Sequence, residues 1–124
     1  MSRILVIDDE LAICDLVERI VASRGYAVTI ATTARAGIEA VRQQDFAAAI
    51  VDLCIPEAGG FAAIRALRAR APQMQMIALS ELTPGTPDFL GMASNLQGVA
   101  RLGKPIRREA LLELLPRQGA VQQA

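Results

Sequence analysis

Short apolar runs alternate along the chain with segments in which apolar residues recur at helical spacing. The apolar runs predict five strands, β1 to β5, at residues 4–7, 26–31, 46–51, 74–79 and 99–102. The segments of helical period predict five helices, α1 to α5, at residues 11–24, 34–44, 61–71, 87–97 and 107–115. Strands and helices therefore alternate from one end of the chain to the other.

Residues that start or stop helices support these boundaries. Gly25 follows α1, Pro72 follows α3 and Gly98 follows α4. Thr33 can accept a hydrogen bond from the first turn of α2, and Thr86 has the same position before α4. Each helix is thus separated from the strand that follows it.

A strand, a helix and a further strand in succession form a right-handed crossover between parallel strands. Five such strands predict one parallel sheet with helices on both faces, which is a three-layer α/β/α sandwich. The 124 residues suffice for one domain, which we place at residues 1–116. Residues 117–124 are expected to form a polar, frayed tail.

Composition narrows the class of protein. Apolar residues make up 52% of the chain, and charges interrupt each apolar stretch well before the roughly 20 residues that a membrane span needs. The 13 basic and 13 acidic side chains cancel, so the net charge does not favour binding to nucleic acid. The first residues lack the long apolar segment of a signal peptide. We therefore expect a cytoplasmic protein that binds neither membranes nor nucleic acid directly.

The chain contains no histidine, which removes the usual general base, the Ser-His-Asp and Cys-His pairs and most zinc sites. Its two cysteines, Cys14 and Cys54, are too few for a four-cysteine metal site or a disulfide framework, and we expect two free thiols. Any chemistry must therefore use carboxylates, hydroxyls, lysine or backbone groups.

Polar side chains follow four of the five predicted strands. Asp8 and Asp9 come directly after β1, and Asp52 comes after β3. Ser80 follows β4, and Lys104 follows β5. Because the carboxyl ends of parallel strands meet at one edge of a sheet, we expect these five side chains to converge.

Three aspartates at one sheet edge repel one another. A raised pKa or a hard divalent cation relieves that repulsion, and Mg²⁺ is the natural candidate for oxygen ligands. Lys104, the only lysine of the chain, adds a point charge suited to a phosphoryl oxygen. The alternative is that each aspartate only caps the helix or turn that follows it.

These residues resemble, over residues 2–115, the receiver domain of two-component response regulators, typified by the chemotaxis response regulator. The resemblance rests on the pair Asp8-Asp9, the segment 52–60, the hydroxyl of Ser80 and the pair Lys104-Pro105, in this order and at these intervals. It implies a flavodoxin-like (βα)5 fold with the strand order 2-1-3-4-5.

The resemblance also implies roles for the acidic residues. Asp52 would accept a phosphoryl group from a phosphohistidine. Asp9 would bind Mg²⁺ directly, Asp8 would bind it through water, and the backbone carbonyl of Cys54 would be the remaining protein ligand. Such a protein is not an enzyme toward other substrates, because it catalyses only its own phosphorylation and dephosphorylation.

By the same resemblance, Ser80 and Lys104 would hold the phosphoryl oxygens. Two positions depart from the family's usual pattern. Glu81 follows the hydroxyl where a small residue is usual, and Arg101 stands where a switch aromatic is usual. We therefore expect the loop between β4 and α4, residues 81–86, to carry the conformational switch, with changes that extend across residues 81–90.

The partner implied for phosphorylation is a histidine kinase or a histidine phosphotransfer protein. The surface formed by α4, β5 and α5 would contact an unknown output partner, or a second copy in a homodimer. We expect a receiver that stands alone; the alternatives are a receiver excised from a larger regulator or hybrid histidine kinase, or a Mg²⁺-dependent phosphatase of the aspartyl-phosphate type. Such a phosphatase normally has a second acid two residues after the nucleophile, where this chain has Cys54.

Overall fold

A computed structural model describes residues 2–55, 59–81 and 98–116 of the chain. Its five strands are β1 (Arg3–Ile7), β2 (Ala27–Ala31), β3 (Ala48–Asp52), β4 (Gln75–Glu81) and β5 (Val99–Lys104). The helices in the described ranges are α1 (Leu11–Ala22), α2 (Ala34–Gln43), α3 (Gly59–Arg70) and α5 (Arg108–Leu114). The helix predicted as α4 and the tail predicted at 117–124 lie outside these ranges. None of the described helices is long and apolar enough to cross a membrane.

The five strands form one parallel sheet in the order β2-β1-β3-β4-β5, which confirms the predicted three-layer fold. Successive side chains of a strand point to opposite faces of the sheet. Leu5 and Val51 accordingly lie in a core cluster with residues of α2 and α3, while Val6 and Ile50 lie in a second cluster with residues of α1 and α5. The central strands are thus buried on both faces, which explains their continuous apolar sequences.

Three strands extend further at their carboxyl ends than predicted. Asp52 is the last residue of β3, Ser80 lies inside β4, and Lys104 is the last residue of β5. We placed all three residues after their strands, and this was wrong. Pairing continues past the apolar run, because Ser80 lies opposite Gly103 and Glu81 lies opposite Lys104. The backbone ladder does not depend on side-chain polarity, so an apolar run marks only the minimum length of a buried strand.

The helix ends agree closely with the stop and start residues. The Thr33 hydroxyl accepts a hydrogen bond from the Ala36 N–H at 3.0 Å and so caps α2 as predicted. The helix α1 ends at Ala22, two residues before the predicted end, and Gly25 then adopts a positive φ of 92°. The helix α3 begins at Gly59, two residues before the predicted start.

Candidate functional site

The Lys104 ammonium lies at the centre of a group of carboxylates at the carboxyl edge of the sheet. Its Nζ is 3.3 Å from Asp8 Oδ2, 3.1 Å from Glu10 Oε1 and 3.4 Å from Asp52 Oδ2. These side chains come from the ends of β1, β3 and β5, as expected for parallel strands. The predicted convergence of Asp8, Asp52 and Lys104 is therefore observed.

Asp8 follows β1 and is completely buried. Its Oδ1 accepts a hydrogen bond from the Glu10 N–H at 2.9 Å. Its Oδ2 makes no hydrogen bond within the part of the chain that the structure describes, although it faces the Lys104 ammonium. Burial, assisted by the charge of Asp52, raises the pKa of Asp8 to about 6, against the opposing effects of the Glu10 N–H and of Lys104.

Asp52 ends β3 and is 2% exposed. Its Oδ1 accepts a hydrogen bond from the Cys54 N–H at 3.0 Å, and its Oδ2 accepts one from Lys104 Nζ at 3.4 Å. The start of α3 packs directly on this strand end, since a Cβ on Gly60 would overlap the Asp52 carbonyl oxygen and the Leu53 backbone. The carboxylate is thus held at one oxygen and presents the other to the centre of the group.

Lys104 is almost fully buried, and the peptide bond to Pro105 is cis. Burial alone would lower the pKa of Lys104. The charge of Asp52, the hydrogen bond to Glu10 and the charge of Asp8 outweigh that effect and raise the pKa above its usual value. Lys104 therefore remains a cation at neutral pH.

The carboxylates around Lys104 also suit a divalent cation. One oxygen each of Asp8, Glu10 and Asp52 lies within 4.8 Å of the others. When ionised, three carboxylates and one ammonium sum to a charge of −2, which an ion such as Mg²⁺ would cancel. Hard cations prefer such oxygen donors, and the Asp8 Oδ2 without a hydrogen bond is a donor suited to one. The residues present therefore fit the metal that the sequence implies.

Three other predicted site residues lie outside this contact group. The Asp9 side chain is exposed and does not belong to the three grouped carboxylates. Ser80 is buried, and its hydroxyl donates to the Glu81 carbonyl at 3.4 Å. Cys54 is exposed as a residue; partial burial of its sulfur and the charge of Asp52 raise the pKa of the thiol, while a hydrogen bond with Ser80 lowers it. The roles predicted for these residues stay predictions.

Sequence reasoning missed Glu10, which makes the shortest contact to Lys104. Glu10 stands at the N-cap position of α1 without a capping hydrogen bond from its side chain. Its side chain is 53% exposed. The available signal was its place as the third acid in the run Asp8-Asp9-Glu10. A glutamate just before a helix suggests an ordinary helix start, and only the fold shows that it reaches β5.

The predicted switch segment is described only at its beginning. Glu81 ends β4 and is exposed, and Arg101 is an exposed residue of β5. The remainder of residues 81–90 lies outside the described ranges. A switch carried by this segment stays a prediction.

Comparison with known families identifies the family of the chain. A family model for the response regulator receiver domain matches residues 4–116, which include every residue of the carboxylate group. The chain belongs to this family. It is therefore a receiver domain of the kind found in two-component signal transduction.

Receiver domains of known structure share its fold. The CheY-like receiver domain protein from Methanospirillum hungatei is 29% identical, with a TM-score of 0.80 over 91% of this chain and 89% of that one. A response regulator from Burkholderia pseudomallei, whose structure contains a phosphorylated aspartic acid, a calcium ion and citrate, is 24% identical, with a TM-score of 0.80 over 99% of this chain and 71% of that one. At 24% identity, the similarity to this second structure supports the shared fold alone.

Curated relatives of this receiver domain are longer regulators. The photosynthetic apparatus regulatory protein RegA of Rhodobacter capsulatus is 31% identical over 77 residues, which is 62% of this chain and 42% of the relative. Across the curated relatives that it matches, the chain spans between 18% and 55% of their length.

Proposed function

We propose that this receiver domain accepts a phosphoryl group on Asp52 from a phosphohistidine of a histidine kinase or phosphotransfer protein, in a reaction that requires Mg²⁺. The observation that carries the proposal is the buried contact between Asp52 Oδ2 and Lys104 Nζ at 3.4 Å, beside Asp8. Phosphoryl transfer depends on positioning and on stabilisation of charge, so a chain without histidine can perform it.

Asp52 Oδ2 is the oxygen suited to attack phosphorus. The Cys54 N–H holds Oδ1, which orients the carboxylate, while Oδ2 faces the centre of the group. The new bond joins Oδ2 to phosphorus as the bond from phosphorus to the imidazole nitrogen breaks, and the electron pair of that bond stays on the nitrogen. Lys104 stabilises the charge on the phosphoryl oxygens, and Ser80 is the hydroxyl expected to bind the product.

A bound Mg²⁺ supplies neutralising charge and orients the phosphoryl oxygens. Asp8 and Asp52 would hold it, together with the predicted ligands Asp9 and the Cys54 carbonyl. Phosphorylation from phosphohistidine and loss of the group to water are the only reactions that we assign to the domain, so we do not propose that it is an enzyme toward other substrates. Its output partner would respond to the phosphorylated form.

The direct experiment is to measure intact mass after incubation with acetyl phosphate. We expect a phosphoryl increment that needs Mg²⁺, is absent in EDTA and is lost in Asp52→Asn. Asp45→Asn, the same change at an exposed position, serves as the matched control and should be phosphorylated like the wild type. An increment that persists in Asp52→Asn, or that forms equally well in EDTA, would rule out the assignment.

The relative contributions of Asp8 and Asp9 to Mg²⁺ affinity can be tested separately. A direct ligand should contribute more to Mg²⁺ affinity than one that acts through water, so Asp9→Ala should weaken binding more than Asp8→Ala. Calorimetric titration of both variants with Mg²⁺ measures the order. The reverse order would assign direct binding to Asp8, whose buried Oδ2 makes no hydrogen bond among the described residues.

A further inference from the structure

Glu10 contacts the centre of the site without a role in the proposed function. Its Oε1 accepts a hydrogen bond from Lys104 Nζ at 3.1 Å, which is shorter than the contacts from Lys104 to Asp8 and Asp52. The Glu10 side chain is 53% exposed, whereas the other two carboxylates are buried.

The Lys104 ammonium has one oxygen of each of three carboxylates within 3.4 Å, and it donates hydrogen bonds to two of them, Glu10 and Asp52. An incoming phosphoryl oxygen therefore competes with these carboxylates for the ammonium, and one of them has to give way to it. Asp8 and Asp52 are buried, so neither carboxylate can be solvated by water if it leaves Lys104, which makes its displacement unfavourable. Backbone N–H groups also hold both of these side chains in place.

Glu10 differs from both in what surrounds it. Its side chain extends from the start of α1 and already contacts water, so its carboxylate can be solvated when it leaves Lys104. An ion pair with one exposed partner is broken more easily than one with two buried partners, because the exposed carboxylate regains contact with water. Glu10 is therefore the ligand of Lys104 that an arriving anion displaces most easily.

We propose that Glu10 is a positioning residue that occupies, in the unphosphorylated domain, the place on Lys104 that a phosphoryl oxygen takes on phosphorylation. Its displacement is part of the activation barrier, and the wild-type glutamate slows phosphorylation. This inference rests on the proposed function, because it assumes that the phosphoryl group arrives at Asp52.

The first test is the rate of phosphorylation by acetyl phosphate at a Mg²⁺ concentration that saturates each variant. In that reaction Asp52 Oδ2 binds phosphorus, the bond from phosphorus to the acetate oxygen breaks, and acetate leaves with the electron pair. Glu10→Gln keeps the shape of the side chain and removes its charge, and we expect a rate about two- to fivefold higher. Glu18→Gln, the same change at an exposed position of α1, should leave the rate unchanged.

The second test observes Lys104 itself. Because Lys104 is the only lysine, a protein labelled with ¹³C-lysine gives one lysine side-chain spectrum. We expect the Cε–Hε signal to differ between wild type and Glu10→Gln in the resting, metal-free domain. In the complexes with beryllofluoride and Mg²⁺, where Glu10 has left Lys104, the two signals should coincide.

Each result separates this inference from the proposed function. If wild type is phosphorylated but the two lysine signals still differ in the beryllofluoride complex, Glu10 stays on Lys104 and the inference is wrong. It is equally wrong if the signals coincide in the resting state, or if Glu10→Gln is phosphorylated no faster than wild type. If wild type neither forms the complex nor takes up a phosphoryl group, the proposed function fails and the inference fails with it.

Discussion

Replacing Asp8 by asparagine should stabilise the metal-free domain, although it removes an ion pair. Asp8 is completely buried, and burial is the main cause that raises its pKa from 3.8 to about 6. The folded state therefore disfavours the charged form of this carboxyl group. Asparagine has nearly the same shape, and its side-chain oxygen can still accept the hydrogen bond from the Glu10 N–H.

The magnitude follows from that shift in pKa. A rise from 3.8 to about 6 is about two pKa units, and at about 1.4 kcal/mol per unit it corresponds to about 3 kcal/mol of lost stability. The substitution would also place an uncharged amide beside Lys104, so part of this gain is lost. We expect the free energy of unfolding to rise by about 1–3 kcal/mol at pH 8.

The effect should depend on pH in a defined direction. The folded-state pKa of Asp8 lies above the unfolded value, so the stability that comes from its protonation is fully present below about pH 4 and is lost as the pH rises through about 6. Asparagine does not titrate in this range. The stability difference between variant and wild type should therefore be small at pH 4 and reach its full size at pH 8.

Urea unfolding followed by far-ultraviolet circular dichroism, in EDTA at pH 4, 6 and 8, measures this difference. Asp45→Asn is the matched control, because Asp45 is exposed and the same change there should alter stability by no more than about 0.5 kcal/mol. Saturating Mg²⁺ should narrow the gap by stabilising the wild type more. The reasoning would be refuted if Asp8→Asn were less stable than wild type at pH 8. It would also be refuted if the difference in unfolding free energy between variant and wild type were the same at pH 4 and pH 8.

Three further changes test the fold around the site. Gly60→Ala should lower the free energy of unfolding, measured in urea, by about 2 kcal/mol or more, because the alanine Cβ would overlap backbone atoms that cannot move aside. An unchanged urea midpoint would contradict the close packing of α3. Ellman's reagent should label the exposed Cys54 in the native domain. It should label Cys14 only after unfolding, because Cys14 is buried and burial raises its pKa to about 11. Equal labelling rates for the two thiols would contradict this. Thr33→Ala should cost about 1 kcal/mol by removing the cap of α2, whereas Thr33→Ser should retain most of that stability in the same urea assay.

The order of strands and helices could be predicted because the central strands β1, β3 and β4 are buried on both faces. Continuous apolar runs such as residues 4–7 leave few alternatives, and the alternation with helices then favours a parallel sheet. The proximity of Asp8, Asp52 and Lys104 followed from that topology alone. The strand ends were less predictable, because pairing at Ser80 and Lys104 depends on the neighbouring backbone rather than on the local sequence.

The part of the site that could not be predicted depends on the reach of long side chains. Glu10 and Lys104 are 94 residues apart, and nothing in the sequence near either residue indicates their contact. The burial of Asp8 and the exposure of Asp9 likewise follow from how the chain turns after β1, since both residues have the same side chain. The fold therefore separates two aspartates that the sequence treats as a pair.

The position of Lys104 determines which parts of the sheet a charge at Asp52 affects first. Lys104 belongs to β5 at the edge of the sheet, and its ammonium contacts Asp52 at the end of β3, so its side chain crosses the end of β4. At that point Ser80 is paired with Gly103, and Glu81 is paired with Lys104 itself. A negative charge added to Asp52 therefore acts on Lys104, and through the strand pairing it acts on the ends of β4 and β5 together. The contacts between Lys104 and Asp8 extend the same effect to β1, and the edge strand β2 has no part in this charge group among the described residues.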